Sequence, residues 1–334
     1  MKIQTPAQPA AAEATRSVLN IELYRTLYLI RSAEAGIRKY YYEDDMKTPM
    51  HMSMGEEAVV AGVCRALGQD AQAFGSYRSH ALYLAKTGDT DGFFAEMYGK
   101  VTGPSRGKAG SMHMSSPDHG LMCCAAVVAS TIPLAVGTAF ANKVRKTGRL
   151  TAAFFGDGAM DAGVFWESLN SACLMGLPVA FVCEDNDLAV HTSRRHRQGF
   201  SSAIDVASRF DCAVFESDST DVEEIHRVAA QAALEMHRRS RPAFLRFKWY
   251  RYLEHVGVNE DFDAGYRSRD EYLEWLRLDP VALQRAKLVR EGWMPEPGIQ
   301  ETERAIDEQV ERSIQAAKAA PFSGKDDLYA GLFG

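Results

Sequence analysis

Several features that mark particular classes of protein are missing from this 334-residue sequence. No apolar run approaches the roughly 20 residues that a membrane-spanning helix needs. The first 17 residues, MKIQTPAQPAAAEATRS, lack the apolar core of a secretory signal peptide. Positive charge is not in excess, because 38 Lys and Arg stand against 44 Asp and Glu, for a net charge of −6. These absences argue against a membrane-spanning protein, a secreted protein and a protein that chiefly binds nucleic acid.

Cysteine is scarce, and its spacing suggests neither a zinc site nor a disulfide framework. The six cysteines include no Cys-x-x-Cys pair, so we expect a reducing, cytoplasmic environment. The interior of the chain has no linker rich in Ser, Gly or Pro, and its composition is that of an ordinary globular protein with 46% hydrophobic residues. We therefore expect an Ala- and Pro-rich flexible tail over residues 1–16 and a single domain over residues 17–334.

Apolar runs alternate with helical patterns in the middle of the chain. The runs that indicate strands are 150–155, 177–184, 213–217 and 243–249. The first two are almost continuously apolar, which is typical of parallel strands that are covered on both faces. Residues 159–175, between them, carry apolar side chains at helical spacing. The alternation predicts an α/β domain with a mostly parallel sheet and helices on both faces, followed by a helical C-terminal part from about residue 268.

Polar residues that suit a metal-bound phosphate follow the first two predicted strands. Asp157 comes after one strand, between Gly156 and Gly158, and Asn186 comes after the other. The carboxyl ends of parallel strands open into one crevice, so the two side chains are expected to face a common point. Carboxylate, amide and main-chain carbonyl oxygens suit Mg²⁺ when diphosphate oxygens and water fill its other positions. The pattern therefore predicts a metal-bridged diphosphate at this edge.

Taken alone, the Gly-Asp-Gly motif has two interpretations, because it also fits a tight strand-to-helix turn with Asp as the helix cap. The interval adds information, since 28 positions separate Gly158 from Asn186, enough for one helix and one buried strand. This arrangement resembles the thiamine diphosphate signature. The whole stretch 156–186, GDGAMDAGVFWESLNSACLMGLPVAFVCEDN, resembles the alpha chain of the thiamine-dependent decarboxylating component of 2-oxo acid dehydrogenase complexes. That family includes pyruvate, branched-chain 2-oxo acid and acetoin dehydrogenases.

Other segments resemble motifs of the same family, in the same order, from about residue 20 to residue 285. They are HMSMGEEAVVAG (51–62), FGSYRSH (74–80), RGKAGSMHM (106–114), VVASTIPLAVGTA (127–139), YRYLEH (250–255) and GYRSRDEYLEWLRLDPV (265–281). Chance does not account for so many motifs in one order. The resemblance implies a thiamine diphosphate-binding fold.

Carried over position by position, the resemblance implies both a metal site and a cofactor site. Asp157, Asn186 and the main-chain carbonyl of Leu188 would ligate Mg²⁺. The residues implied for thiamine diphosphate are Tyr77, Arg78, Val128, Gly156, Asp157, Gly158, Ala159, Asn186, Arg251 and His255. The tyrosine and the two arginines of this set would hold the diphosphate oxygens. His255 and His80 are the catalytic candidates, with His255 placed to transfer a proton during acyl transfer.

The resemblance also implies a reaction and partners. The chain would decarboxylate a small 2-oxo acid with thiamine diphosphate and Mg²⁺, and would pass the acyl group to lipoamide on a separate acyltransferase. Family members of this length carry only the diphosphate-binding half of the site. A beta chain would supply the Glu that activates the cofactor, giving an α2β2 heterotetramer.

The sequence departs from the family pattern after Tyr252. Leu253 and Glu254 replace the usual His and Gly, and the stretch that follows is longer and more acidic than in the family. Two alternatives follow. One is a two-chain thiamine diphosphate-dependent carboligase or transketolase-like enzyme with a non-lipoyl acceptor. The other, a silent regulatory subunit, is disfavoured because the implied ligands Asp157 and Asn186 are intact.

Two further groups of residues are ambiguous in the sequence. The methionines at positions 50, 52 and 54 around His51 fit a substrate pocket and core packing equally well. The basic run RRHR (194–197) is expected to be a solvated loop rather than a binding patch.

Overall fold

A parallel sheet forms the centre of the protein in a computed structural model, which describes residues 9–331. Within these residues the strands are β1 (Gln72–Gly75), β2 (Leu121–Cys124), β3 (Thr151–Gly156), β4 (Val179–Asp185), β5 (Leu188–Ala189), β6 (Thr192–Ser193), β7 (Ala213–Ser217) and β8 (Ala243–Lys248). The helices are α1 (Pro9–Tyr40), α2 (Glu57–Leu67), α3 (His80–Thr87), α4 (Thr90–Met97), α5 (Thr131–Arg145), α6 (Gly163–Met175), α7 (Ala203–Ala207), α8 (Val222–Arg239), α9 (Arg269–Leu276), α10 (Pro280–Arg290) and α11 (Glu296–Ala319).

Six of the strands described here form the main sheet, in the order β2-β1-β3-β4-β8-β7, and all of their pairings are parallel. The four strands that the sequence predicted correspond to β3, β4, β7 and β8, so the α/β prediction is confirmed. β3 and β4 lie in the middle of the sheet, and Gly156 is opposite Glu184 in their register. The carboxyl ends of the two strands are therefore level with each other. β5 and β6 form a separate antiparallel hairpin just after β4.

The two faces of the sheet are covered by different helices, because successive side chains of a strand point to opposite sides. Phe154 packs with Val182 and Leu245 in the apolar cluster that includes α2 and α8. Phe155, the next residue, packs with Phe181 in a second cluster, beneath α5 and α6. Burial on both faces explains why the strand sequences are continuously apolar.

Helix α1 includes part of the segment that the sequence analysis assigned to a flexible tail. Residues 1–8 of the expected tail lie outside the described residues, but residues 9–16 belong to α1. Arg16 is held there by an ion pair with Glu223, with Nε 2.6 Å from Oε1. The Ala-rich composition that suggested a tail also favours helix formation, since Ala has the highest helix propensity.

The C-terminal helices α9, α10 and α11 follow residue 268; α10 packs on α1, and α11 packs on α1 and α4. Ser32 of α1 donates to Asp307 of α11 at 2.6 Å, and the hydroxyls of Thr90 and Ser313 lie 2.7 Å apart between α4 and α11. None of the helices between residues 9 and 331 is both long enough and apolar enough to cross a membrane.

A buried carboxylate orders the glycine-rich loop after α4. Glu96 is fully buried, and its Oε2 accepts hydrogen bonds from the N–H groups of Ser105 and Gly107 at 3.0 and 3.1 Å. Its Oε1 accepts from the N–H groups of Ala109 and Gly110 at 2.7 and 3.1 Å. One side chain thus satisfies four main-chain donors of a segment that has almost no regular structure of its own.

Replacing Glu96 by Ala is expected to release this loop. Four N–H groups would lose their acceptor, and the free energy of unfolding would fall by at least about 2 kcal/mol. Trypsin would then cut faster after Arg106 and Lys108, which mass spectrometry of the fragments can measure. The exposed Glu167→Ala variant serves as the control and should behave like the wild type. Unchanged cleavage in Glu96→Ala would contradict this account of the loop.

Candidate functional site

Most of the residues that the sequence predicted for the site meet at the carboxyl edge of the main sheet. One pocket is lined by Tyr77, Arg78, Val128, Gly156, Gly158, Ala159, Asn186, Leu188 and His255. These residues follow the ends of β1, β2, β3, β4 and β8, so the parallel topology is what brings them together. Asp157 lies in the turn between the two pocket glycines and is fully buried.

The carboxylate of Asp157 has one free oxygen. Its Oδ1 is buried and has no hydrogen-bond partner among the described residues, whereas its Oδ2 accepts from Arg197. Burial, together with the nearby Asp185 carboxylate, raises the pKa of Asp157 to about 6, although Arg197 opposes this shift. A cation beside Oδ1 would lower that pKa again, because opposite charge stabilises the ionised form.

The groups around Asp157 suit a hard cation. Asn186 lines the pocket, and its Oδ1 accepts from the N–H of Leu188 at 3.0 Å, which fixes the turn after β4. The available donors are oxygens of a carboxylate, an amide and a main-chain carbonyl, which are the ligands that Mg²⁺ prefers. In the part of the chain that the structure describes, no three His, Cys, Asp or Glu side chains are grouped to hold a metal. The donor set therefore fits a cation whose remaining ligands come from a bound diphosphate and water.

Close backbone approach requires glycine in the turn after β3. A Cβ atom added to Gly158 would lie only 3.0 Å from the Cβ of Ala189, closer than ordinary side-chain contacts allow. The second interpretation of the Gly-Asp-Gly motif, in which Asp157 caps the following helix, is wrong. No side chain caps the turn at 157–161, and α6 begins only at Gly163.

Three non-glycine residues at or next to the pocket have left-handed backbone conformations. Ala129, Asp187 and Val190 have φ angles of +65°, +64° and +57°, although none of them is glycine. Ala129 and Val190 line the pocket directly. Each such residue costs on the order of 1 kcal/mol, and strain of this kind gathers at functional sites.

Arg78 is held in place by main-chain carbonyls. Its Nη1 donates to the carbonyl of Met52 at 2.6 Å, and its Nη2 donates to that of His255 at 3.3 Å. Its guanidinium also lies 5.9 Å from the ring of Trp249, within cation–π range. The charge of Arg78 is therefore fixed at the pocket wall.

Two buried glutamates that the sequence reasoning missed also line the pocket. Both oxygens of Glu56 lack a hydrogen-bond partner among residues 9–331, and Glu184 lies at the end of β4. Burial raises the pKa of both carboxyls above the usual range, and Arg78 opposes the shift in each. The available signal for Glu184 was a charged residue near the end of an otherwise apolar strand. Glu56 lies within the segment 51–62 that resembles a family motif, and nothing in the sequence indicated that its side chain lines the pocket.

Three rings pack together at the other end of the pocket. The ring of His255 lies 5.6 Å from that of Tyr77 and 5.4 Å from that of His51, and His51 and Tyr77 are 4.5 Å apart. Burial, and then the positive charge of Arg78, lower the pKa of His51 and of His255 to about 3. Both imidazoles are therefore neutral near pH 7. The methionines at positions 50, 52 and 54 are buried in the core, so they are packing residues.

Arg251, predicted to hold the diphosphate, does not line the pocket, and its role there stays a prediction. Its side chain is only 1% exposed, and its N–H groups donate to the carbonyls of Leu253 and Val190 and to the hydroxyl of Tyr266. Its Nη1 also lies 3.3 Å from Nδ1 of His255. The guanidinium of Arg251 is therefore held next to His255 by acceptors from the loop after β8 and by Val190 of the β5–β6 turn.

His80 does not line the pocket, and its catalytic role stays a prediction. His80 is fully buried away from the pocket, with Nδ1 2.6 Å from Glu34 and Nε2 2.6 Å from the hydroxyl of Ser111. Glu34 also accepts from the N–H of Ser53 at 2.7 Å. His80 is the first residue of α3, where the chain has already turned away from the pocket wall. It links α1 to the glycine-rich loop.

The basic run 194–197 is only partly the solvated loop that the sequence suggested, because Arg195 and His196 are exposed but Arg194 and Arg197 form ion pairs. Arg194 binds Asp185 at 2.8 Å, and Arg197 binds both Asp157 and Asp161. The partners of Arg197 lie 36 and 40 residues away in the sequence, and a charge run gives no indication of them.

We expect His80→Ala to affect stability rather than the pocket. The change leaves the Glu34 carboxylate buried without its main partner, so the free energy of unfolding should fall by about 3 kcal/mol. The folded fraction should still bind thiamine diphosphate with Mg²⁺, which calorimetry can measure. His113→Ala, an exposed residue of the glycine-rich loop, should change neither quantity. Normal stability with lost turnover in His80→Ala would restore the predicted catalytic role.

Comparison with known proteins gives one family for nearly the whole chain. The family model described as "Dehydrogenase E1 component" matches residues 24–325. The pyruvate dehydrogenase E1 component subunit alpha of Zymomonas mobilis is 33% identical over 330 residues, covering 98% of this chain and 92% of the relative.

Two other relatives carry corresponding descriptions. The chloroplastic pyruvate dehydrogenase E1 component subunit alpha-3 of Arabidopsis thaliana is 31% identical, with 94% of this chain and 74% of the relative covered. The pyruvate dehydrogenase E1 component subunit alpha of Rickettsia felis is 28% identical, with 94% and 95% covered. The matched segment includes every strand of the main sheet and every residue of the pocket. The chain therefore belongs to the dehydrogenase E1 component family, as an alpha-type chain.

Proposed function

We propose that this chain is the alpha chain of a two-chain thiamine diphosphate-dependent enzyme that decarboxylates a 2-oxo acid and transfers the acyl group to lipoamide. The observation that carries the proposal is the free, buried Oδ1 of Asp157 beside Asn186, in a pocket that Arg78 and His255 also line. Relatives named as pyruvate dehydrogenase E1 alpha subunits support a 2-oxo acid as the substrate. A silent regulatory subunit fits poorly, since such a chain has no need of a strained and charged pocket.

The metal and the diphosphate would be held at the strand ends. In the proposal, Asp157, the Asn186 side chain and the carbonyl of Leu188 would hold Mg²⁺. Arg78 and Tyr77 would bind the diphosphate, and the main-chain N–H groups of Gly158 and Ala159, which both line the pocket, would donate to its oxygens. When it is bound, thiamine diphosphate supplies the carbon nucleophile for attack on the 2-oxo group.

His255 is placed to handle a proton at the opposite end of the pocket. Its ring is neutral because burial and Arg78 lower its pKa to about 3. Nη1 of Arg251 is a donor and faces Nδ1, so the ring proton belongs on Nε2. From that atom His255 would donate a hydrogen bond to an oxygen of the substrate, where it would stabilise developing negative charge during acyl transfer.

A partner chain is part of the proposal. The pocket opens beside exposed apolar side chains, with Val127 69% and Val128 51% exposed just before α5. The outer face of α5 adds Leu134, Phe140 and Val144, all of them exposed. Several exposed large apolar side chains on one short stretch of chain favour a protein interface there. A beta chain seated there would supply the activating Glu in an α2β2 assembly, and a lipoyl acyltransferase would accept the acyl group.

We also propose a cytoplasmic location. All six cysteines are free thiols, and most of them are fully or partly buried. This agrees with a reducing compartment, although some relatives are named as chloroplastic.

The test is made on this chain co-expressed with its beta-type partner. With thiamine diphosphate and Mg²⁺ added, the assembly should reduce an artificial electron acceptor in the presence of one or more 2-oxo acids from a panel. Asp157→Ala should lower kcat at least about 100-fold, because it removes a direct metal ligand. Loss of a residue that only supports a ligand already costs about 10- to 100-fold. Asp118→Ala, at an exposed position, should retain full activity.

Two results would count against the proposal. Full activity in Asp157→Ala would show that the metal site lies elsewhere. A stable assembly with bound cofactor that oxidises no 2-oxo acid, but joins an acyl unit to an aldehyde, would instead establish the carboligase alternative.

A further inference from the structure

Arg197 connects the segment after the β5–β6 hairpin to the turn after β3, which carries Asp157. Arg197 donates from Nη2 to Oδ2 of Asp157 and from Nη1 to Oδ2 of Asp161 at 2.7 Å. The side chain of Arg197 is 11% exposed, and that of Asp157 is 1% exposed. The contact therefore lies in a largely dry environment, where charge-assisted hydrogen bonds are strong.

The two carboxylate oxygens of Asp157 differ in their hydrogen bonding. Oδ2 is occupied by Arg197, while Oδ1 is buried and without a partner in the described part of the chain. A carboxylate that binds a metal through one oxygen is commonly held by a hydrogen bond to the other, which fixes its direction. The arrangement at Asp157 has this form, with the free oxygen directed away from Arg197.

Arg197 also belongs to the segment that carries the other ligands. It follows the β5–β6 hairpin, in which Leu188 pairs with Ser193, and this hairpin begins two residues after Asn186. The neighbouring Gln198 donates from Nε2 to the carbonyl of Asp157 at 3.1 Å and to Oδ1 of Asp161 at 2.9 Å. The segment after β4 is thereby fastened to the turn after β3.

We propose that Arg197 is a positioning residue of the metal site, which presents Oδ1 of Asp157 to the cation and fixes the segment with Asn186 and Leu188 against it. The inference rests on the proposed metal and diphosphate site. Because Arg197 binds Oδ2 and leaves Oδ1 without a partner among the described residues, Oδ1 stays available to the cation. Asp161 anchors the second arm of the guanidinium, which keeps the first arm in one orientation.

The experiment measures metal affinity directly, with Mn²⁺ as the probe. The assembly with the beta-type partner is titrated with Mn²⁺ at saturating thiamine diphosphate, and free Mn²⁺ is counted by electron paramagnetic resonance. Arg197→Met should weaken Mn²⁺ binding about 10- to 100-fold, as the loss of an outer partner of a metal ligand does. Arg197→Lys, which can bind one carboxylate but not both, should give an intermediate Kd. Thermal unfolding without metal checks that each variant is folded.

The control is Arg195→Met, an exposed arginine of the same run, which should bind Mn²⁺ like the wild type. Equal or tighter binding in Arg197→Met or Arg197→Lys would overturn the inference, since tighter binding would mean that the arginine competes with the cation. A wild-type assembly that binds no Mn²⁺ with thiamine diphosphate would instead overturn the proposed function, and the inference with it. If Arg197→Met does not fold, the affinity of Arg197→Lys decides between these outcomes.

Discussion

The register between β3 and β4 determines where the rest of the site can lie. With Gly156 opposite Glu184, the residues that follow the two strands emerge side by side, and Asp157 and Asn186 face one crevice. β1 and β8 flank this central pair and end at the same edge. A shift of the register by one residue would reverse the faces of the apolar side chains, so the packing of Phe154 and Phe155 on opposite sides maintains the geometry of the site.

A second constraint is electrostatic. The pocket wall holds carboxyl groups at Glu56 and Glu184 close to the fixed cation of Arg78, all of them largely removed from water. Charges in such an environment need partners, and the raised pKa values of the two glutamates reduce the negative charge that faces a bound diphosphate. Asp157 meets the same requirement through Arg197 on one oxygen, with a cation proposed for the other.

The sequence predicted those parts of the site that depend on local pattern and strand order. Asp157 and Asn186 follow continuous apolar strands, and parallel topology is enough to bring them together. The sequence did not indicate contacts that depend on side-chain direction or long-range pairing. His80 is three residues from Tyr77 yet contacts Glu34, and Arg251 is bound by acceptors of its own loop and by Val190 of the β5–β6 turn. Arg197 meets acidic partners about 40 residues away, which no spacing rule reveals.

The most direct test is a crystal structure of the assembly with its partner chain, grown with thiamine diphosphate and Mn²⁺, with data collected at the manganese absorption edge. The account predicts one anomalous peak within bonding distance of Oδ1 of Asp157, the side-chain oxygen of Asn186 and the carbonyl of Leu188, with diphosphate oxygens completing the shell. A peak at another position, or a bound cofactor whose diphosphate lies away from the Gly156–Gly158 turn, would contradict it.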